Sequence, residues 1–306
     1  MTNFFITGGA GFIGSHVAKK ILENKKGNAV LFDNLSVGKR RNIPEGCEFV
    51  EGDIRDKNTL IRTMKDADVV LHNAAFVSIR GSFEKLEEDV NTNCLGTLNV
   101  LKSAVNVGVK KLIFASSMAV YGEPRRLPVD ETHPLEPVSP YGLSKVRGEM
   151  YCEIFKEKFG LAVTVLRYFN TYGTNQTESP YVGVMTTFIN QALKKQPLTI
   201  FGDGEQTRDF VWVEDVANAN LLAATKNVTG VYNVGSGIET SINQIADMII
   251  NKIGGKKTYS EGPKGEVKRI VADISKAKTA LGYEPKGKLS ELIPEIINWW
   301  KAKIEG

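Results

Sequence analysis

The chain has 306 residues, 42% of them apolar and 24% charged, as in an ordinary globular enzyme of one large or two modest units. A net charge of +4, spread along the chain without a basic tail, excludes nucleic acid as the expected partner and suits phosphate-bearing small molecules. Three widely spaced cysteines, Cys47, Cys94 and Cys152, form neither a disulfide framework nor a metal knuckle, and no signal peptide or membrane-spanning apolar stretch is found; a cytoplasmic protein with no metal and no membrane partner is expected.

Taken in chain order, short apolar runs alternate with segments of helical period. Phe4–Thr7, Ala29–Phe32, Phe49–Val50, Val69–His72, Leu112–Ala115 and Val163–Arg167 predict buried strands. Phe12–Glu23 and Leu95–Val105 carry apolar residues three and four apart and predict helices. Near-continuously apolar strands separated by helices imply a parallel sheet covered on both faces, so about the first 170 residues read as a doubly wound α/β unit. The pattern then changes. A loop and one helix occupy 173–197, and short strands follow at Leu198–Phe201, Phe210–Val213 and Val231–Val234. Ser241 and Gln244 form a capping box that opens an amphipathic helix with Ile242, Ile245, Ile249 and Ile253 on one face. A last helix spans Leu289–Ile304. The expected division is a dinucleotide-binding unit at 1–172 plus about 205–237, with a smaller C-terminal α/β lobe from 173–204 and 238–306. The ligand is expected between them.

Thr7-Gly8-Gly9-Ala10-Gly11-Phe12-Ile13-Gly14 follows the first strand and enters the first helix. Gly8 can make the tight turn, Gly11 lets the backbone approach a pyrophosphate, and Gly14 lets helix and strand pack closely, with the helix N-terminus facing the phosphates. Asp33 ends the second strand 19 residues after Gly14, where a carboxylate hydrogen-bonds a ribose 2′-hydroxyl and repels a 2′-phosphate. The expected cofactor is NAD rather than NADP; the alternative is a flexible turn and a surface aspartate.

This glycine spacing resembles the TGGxGFIG pattern of the extended short-chain dehydrogenase/reductase family, whose dinucleotide unit is of the Rossmann type. Gly52-Asp53-Ile54, His72-Asn73-Ala74-Ala75 and Asn93 within Asn91–Thr97 extend the likeness. The resemblance implies that Asp53 and Ile54 hold the adenine, that Ala74 and Ala75 line the cofactor groove, and that Asn93 supports the active-site helix. It also implies cofactor contacts from Phe12, Ile13, Asn34, Ser36, Gly38, Ala115 and Tyr168.

Tyr141 and Lys145 lie four residues apart, which puts them on one helix face, one turn apart. A phenol of ordinary pKa near 10 is a poor base at neutrality; a fixed ammonium and a positive nicotinamide would bring it toward working pH. An isolated pair of this kind is usually a solvated helix edge. Here Ser116 and Ser117 stand at the end of a strand, the edge where open α/β sheets bind ligands. The two segments together resemble the family's Ser/Tyr/Lys triad. That match implies that Ser117 hydrogen-bonds the reacting oxygen, Tyr141 moves its proton and Lys145 tunes Tyr141 and holds the nicotinamide ribose, with Ser116 the alternative if the register is one residue off.

Dehydratases of this family carry an Asp-Glu pair after the serine or threonine, and decarboxylases a glutamate. Met118 and Ala119 stand there, and neither moves protons. Arg167–Gly173, Ser179–Val184, Leu198–Gly204, Thr207–Phe210, Ala272–Ala277 and Leu281–Tyr283 resemble UDP-hexose 4-epimerases over the whole chain. The likeness implies that Asn170 and Arg208 hold a UDP pyrophosphate and that Val184, Thr199 and Phe201 line the uridine pocket. Pro263-Lys264-Gly265-Glu266 replaces an Arg-Pro-Gly-Asp segment, so Lys264 or Arg269 is left to replace a phosphate arginine, and Glu266 to accept from the uridine ribose. Trp212 replaces a common histidine or tyrosine. Ile270, in place of a gating tyrosine, leaves room for a 2-acetamido group, and Ser78 would hydrogen-bond the sugar. The implied reaction is NAD-dependent 4-epimerisation of a UDP-hexose by hydride removal and return, with Phe76, Val77, Met118 and Val184 as a weakly bonding sugar pocket. The alternatives are a UDP-uronate 4-epimerase, for which Arg80 is the candidate cation, another NAD-linked nucleotide-sugar oxidoreductase, or a non-catalytic nucleotide-sugar binder. The resemblance also implies a homodimer through helices at about Leu86–Val107 and Tyr141–Phe159.

Overall fold

The computed structural model describes residues 1–176, 183–262 and 267–305. Its strands are β1 (Thr2–Thr7), β2 (Gly27–Asp33), β3 (Glu48–Glu51), β4 (Val69–His72), β5 (Lys111–Ser117), β6 (Ala162–Tyr168), β7 (Asn170–Tyr172), β8 (Leu198–Phe201), β9 (Thr207–Trp212), β10 (Gly230–Val234), β11 (Glu239–Ser241) and β12 (Lys257–Ser260). Its helices are α1 (Phe12–Glu23), α2 (Lys57–Met64), α3 (Gly81–Glu84), α4 (Leu86–Asp89), α5 (Thr97–Val107), α6 (Pro140–Phe159), α7 (Val184–Leu193), α8 (Val213–Thr225), α9 (Ile242–Ile253), α10 (Ser275–Leu281) and α11 (Leu289–Glu305).

Seven strands form one sheet in the order β10-β6-β5-β4-β1-β2-β3. Every neighbouring pair in it is parallel. Side chains alternate across the pleat: Phe4 and Ile6 enter the core under α1 and α8, while Phe5 enters the opposite core with residues of α2, α5 and α6. Both faces are covered, which is why these strands read as apolar runs without alternation. The strand order reverses between β1 and β4, the point where such sheets bind ligands beyond their carboxyl ends.

The remaining strands make a three-stranded sheet, β11-β9-β7, and a parallel pair, β12 with β8. A second core gathers Phe188 and Ile189 of α7, the predicted stripe Ile242, Ile245 and Ile249 of α9, and Trp300 of α11. The capping box closes as expected: Gln244 N–H donates to Ser241 Oγ at 3.1 Å and Ser241 N–H to Gln244 Oε1 at 2.8 Å.

Several element ends differ from expectation by one to three residues, and two of them have a physical cause. The strand expected at Phe210–Val213 ends at Trp212, because Val213 opens α8 and its apolar side chain suits either state. The helix expected from Leu95 begins as α5 at Thr97; Val90–Gly96 before it is π-helical, a widening that no residue period announces and that recurs at functional sites.

Candidate active site

The glycine turn is built by exclusion. Gly8 has φ +68°, and a Cβ there would lie 2.8 Å from the Ala74 nitrogen; a Cβ on Gly14 would lie 2.2 Å from the Gly8 carbonyl oxygen. Only hydrogen lets α1 sit this close to the end of β1. Helix α1 has Gly11 at its N-cap, hence no side-chain cap, and no acidic residue in its first turn, so the first amides, at Phe12, Ile13 and Gly14, have no side-chain anion of their own. Beside them, Asp33 accepts from Ala10 N–H at 3.1 Å and Leu35 N–H at 2.8 Å. Burial raises its pKa above the ordinary value, and the backbone donors oppose this. Gly38 rests against the Asp33 carboxylate, with room for no Cβ. Asn34 accepts from Ser36 Oγ at 2.7 Å and donates to Asp53 at 2.9 Å. A fork from Arg55 also grips Asp53 and holds its carboxyl down to about 2. Ile54 is buried in the core under Gly96. An oxygen-rich, glycine-edged cradle next to an uncapped helix fits a dinucleotide. One buried polar atom here, Asn73 Nδ2, has no partner among the described residues. Ala74, through its N–H to Thr7 Oγ1 at 3.2 Å, and the half-buried Ala75 lie along the same edge.

The reacting groups come from β5 and α6. Ser139 caps α6 by accepting from Gly142 N–H at 3.1 Å, and Pro140 takes the first turn, where a missing N–H costs nothing. A Cβ on Gly142 would lie 2.4 Å from the Ala119 oxygen, and one on Gly148 2.4 Å from the Phe114 ring. These two glycines press α6 onto β5 and the turn Met118–Val120. Ser117 is thereby brought close enough to the Tyr141 phenol to lower its pKa, and Lys145 Nζ lies 5.8 Å from the Tyr141 ring centre. Lys145 Nζ donates to the Ala115 carbonyl at 2.9 Å, which leaves two of its N–H groups. Burial raises the Tyr141 pKa to about 12, partly offset by Ser117, and lowers that of Lys145 to about 8. Ser116 points to the other face and donates to Glu149, so the register favours Ser117. Asn93, in the π-helical turn, accepts from Phe76 N–H at 2.8 Å and donates to Ser144 Oγ at 3.1 Å, tying the 76 loop to α6.

The structure also shows two features the sequence reading passed over. His72 bridges Thr7 Oγ1 at 2.7 Å and Thr97 Oγ1 at 3.0 Å, and burial pushes its pKa down to about 3. Glu149 and Arg167 form a buried pair at 2.6 Å beneath Ser116, and Arg167 also donates to Tyr121 at 2.9 Å. Glu149 stands one turn beyond Lys145, and that spacing was its signal.

On the second lobe, Asn170 donates to Met118 Sδ at 3.4 Å and to the Asp209 carbonyl at 3.3 Å, so β7 and β9 abut the turn after Ser117. Arg208 is on β9, half-buried. Asp209 beside it is fully buried and accepts from Ser236, Gly237 and Ala272 N–H groups, which fixes the strand. Tyr168 is buried and donates to Asn220 at 2.9 Å. Thr199 Oγ1 and N–H are engaged by Gln191 at 3.3 and 3.1 Å. Val184 opens α7 and packs on the second core. Phe201 is exposed, with the Arg80 guanidinium 5.3 Å over its ring. Ser78 accepts from the N–H of Gly81, the first residue of α3, at 2.7 Å, which leaves its own proton to donate. Val77 is exposed, so it lines no enclosed pocket. Ile270 is buried in the core that Met118 borders. Arg269 is exposed and forks onto Glu239 at 2.7 Å. Lys264, Glu266 and Ser179–Val182 lie outside the described residues.

Among the described residues no group of His, Cys, Asp or Glu is arranged to hold a metal, and no helix is long and apolar enough to cross a membrane. A doubly wound sheet, a glycine cradle and a serine–tyrosine–lysine cluster at its carboxyl edge define a nucleotide-dependent enzyme of the short-chain dehydrogenase/reductase class. Residues 4–235 match the model of the NAD dependent epimerase/dehydratase family, and the chain belongs to that family. It is 46% identical over 301 residues, 97% of each chain, to a protein of Methanocaldococcus jannaschii provisionally named a UDP-glucose 4-epimerase. It superposes with a TM-score of 0.95 and 38% identity on UDP-glucose 4-epimerase with UDP-glucose from Thermotoga maritima, covering 99% of this chain and 100% of that one. The UDP-glucose 4-epimerase of Thermus thermophilus in complex with NAD matches at 0.91 and 35%, covering 98% and 99%.

Proposed function

We propose that the protein interconverts the C4 epimers of a UDP-hexose, UDP-glucose and UDP-galactose first among them, with NAD held throughout. One observation carries this reading: Ser117, Tyr141 and Lys145 converge at the sheet edge, and the next two residues are Met118 and Ala119. The triad can move a hydroxyl proton, while neither Met118 nor Ala119 can serve as acid or base for loss of water or carbon dioxide.

When bound along the glycine edge, NAD would supply a reversible two-electron acceptor for C4. The protein does the rest. Ser117 holds the sugar 4-oxygen, and Tyr141 takes its proton as phenolate. Burial alone leaves Tyr141 a neutral phenol; the Lys145 ammonium and the positive charge of the oxidised cofactor favour the phenolate when the site is filled. Tyr141 then gives the proton back. Asn170 and Arg208 hold the pyrophosphate, and Arg208 suits it because a guanidinium grips two oxygens at once. Val184, Thr199 and Phe201 flank the uridine. The weak acceptor Met118 Sδ and the apolar ring of Phe76 let the 4-ketose turn between the two transfers. Arg80, the cation a uronate would need, rests over Phe201, which favours a neutral hexose.

In this reading the Rossmann-type unit takes 1–172 and about 205–237, the substrate lobe takes the rest, and the enzyme works in the cytoplasm. A homodimer is proposed because Leu86, Val90, Leu95, Leu143, Met150 and Ile154 are exposed along the two helical segments that resemblance assigns to it. Incubation with UDP-glucose, UDP-N-acetylglucosamine and UDP-glucuronate separately, followed by product analysis, tests the reading; no product from any of them would overturn it.

A further inference from the structure

Asp89 ends α4, just before the π-helical turn, and is 0% exposed. Its Oδ1 accepts from Asn93 Nδ2 at 2.8 Å, and its Oδ2 has no hydrogen-bond partner among the described residues. The same Asn93 amide donates to Ser144 Oγ, and Ser144 donates to the Tyr141 carbonyl at 2.9 Å. The carboxylate is therefore fastened to the turn of α6 that carries Tyr141 and Lys145. A buried carboxylate is costly, and burial raises the pKa of Asp89; a nearby cation would offset that cost.

The surrounding elements leave one. On α6, Glu149 is committed to Arg167 of β6 by contacts at 2.9 and 2.6 Å, so neither charge is free. His72 of β4 is held neutral between two threonine hydroxyls. Burial keeps the thiols of Cys94, in the π-helical turn, and Cys152, on α6, protonated. Arg147 on α6, Lys85 before α4, and Glu87 and Glu88 on α4 are exposed. Lys145 remains.

We propose that Asp89 is the counter-charge of Lys145, a positioning carboxylate that keeps the buried ammonium protonated while Tyr141 exchanges its proton with substrate. Burial raises the Asp89 pKa and lowers that of Lys145; Ser144, Asn93 and then Lys145 oppose the first shift, and Asp89, followed by Glu149, opposes the second. Asp89 also disfavours the Tyr141 phenolate by like-charge repulsion. Its neutralisation therefore has a distinctive signature, because both groups move to lower pH together.

The rate arm of the test rests on the epimerase reading; the titration arm needs neither substrate nor cofactor. Lysine ε-carbons are labelled and followed by NMR against pH, with Lys145 assigned through Lys145→Met. The parent signal should titrate near pH 8. In Asp89→Asn its midpoint should fall by about one pH unit, while Asp89→Glu keeps it near the parent value. Asp89→Ser serves should the amide not fold. The pH optimum of epimerisation should fall in the same variants. An unchanged Lys145 midpoint in the neutral variants, or a lower rate at an unchanged optimum, overturns the proposal. Absence of epimerisation by the parent overturns the functional reading and leaves the titration to decide on Asp89.

Discussion

Lys145 Nζ donates to the Ala115 carbonyl at 2.9 Å, which pins an ammonium of α6 to the last turn of a buried strand. That position has a thermodynamic sign. The folded pKa is about 8 against an ordinary 10.5, so between those values the unfolded chain binds more protons and stability rises with pH. Below pH 8 the charged, buried lysine costs about 3 kcal/mol, offset by about 1 kcal/mol from its hydrogen bond. Lys145→Met should abolish epimerisation but leaves Asp89 without its counter-charge, so the double variant Lys145→Met/Asp89→Asn is the one that should be no less stable than the parent at pH 7, with an advantage that shrinks by pH 10. Chemical denaturation at the two pH values checks this; a large loss of stability at pH 7 contradicts it.

Tyr141 should behave as a very weak acid until the site is filled. In the ligand-free protein its phenolate should form only near pH 12, read as the ultraviolet difference between parent and Tyr141→Phe. Saturation with NAD should lower that midpoint, because a positive charge favours the phenolate. Tyr141→Phe should lose about 10²–10⁴ of the rate with an unchanged melting temperature. A phenolate signal near pH 10 without ligand would remove burial as the controlling term.

Asp33 bears on cofactor choice. Its oxygens already order Ala10 and Leu35, so the carboxylate is fixed before any ligand arrives. Asp33→Asn should weaken NAD about 10–100-fold and narrow the preference over NADP, measured by calorimetry with each dinucleotide. Equal affinities in the parent would take Asp33 out of the discrimination.

Gly14→Ala should be severe for so small a change. The added methyl would stand 2.2 Å from the Gly8 oxygen, a backbone atom that cannot swing aside. A loss of about 1–3 kcal/mol of stability is expected, with NAD binding lost as the turn opens. Parental binding by this variant would show that the turn tolerates widening.

These features differ in how visibly they are written in the chain. Gly8 and Gly14 are legible because a positive φ and a 2.2 Å approach admit no other residue. Tyr141 and Lys145 are legible because a helix face repeats at four, and Ser117 because it ends an apolar run. Asp89 was not legible. In Glu87-Glu88-Asp89 it reads as a solvated edge, and only the packing of α4 on α6 buries the last of the three. The π-helical turn left no mark either, since one inserted residue disturbs the period no more than chance does. The partner of Arg269 left no mark for a related reason: it is Glu239, 30 residues earlier in the chain and brought alongside by the fold.

The most direct test of hydride removal and return is to supply UDP-glucose carrying deuterium at C4. The account predicts UDP-galactose that keeps its deuterium at C4, with no NADH accumulating at 340 nm. Loss of the label to solvent, or NADH formed in proportion to substrate, would contradict it.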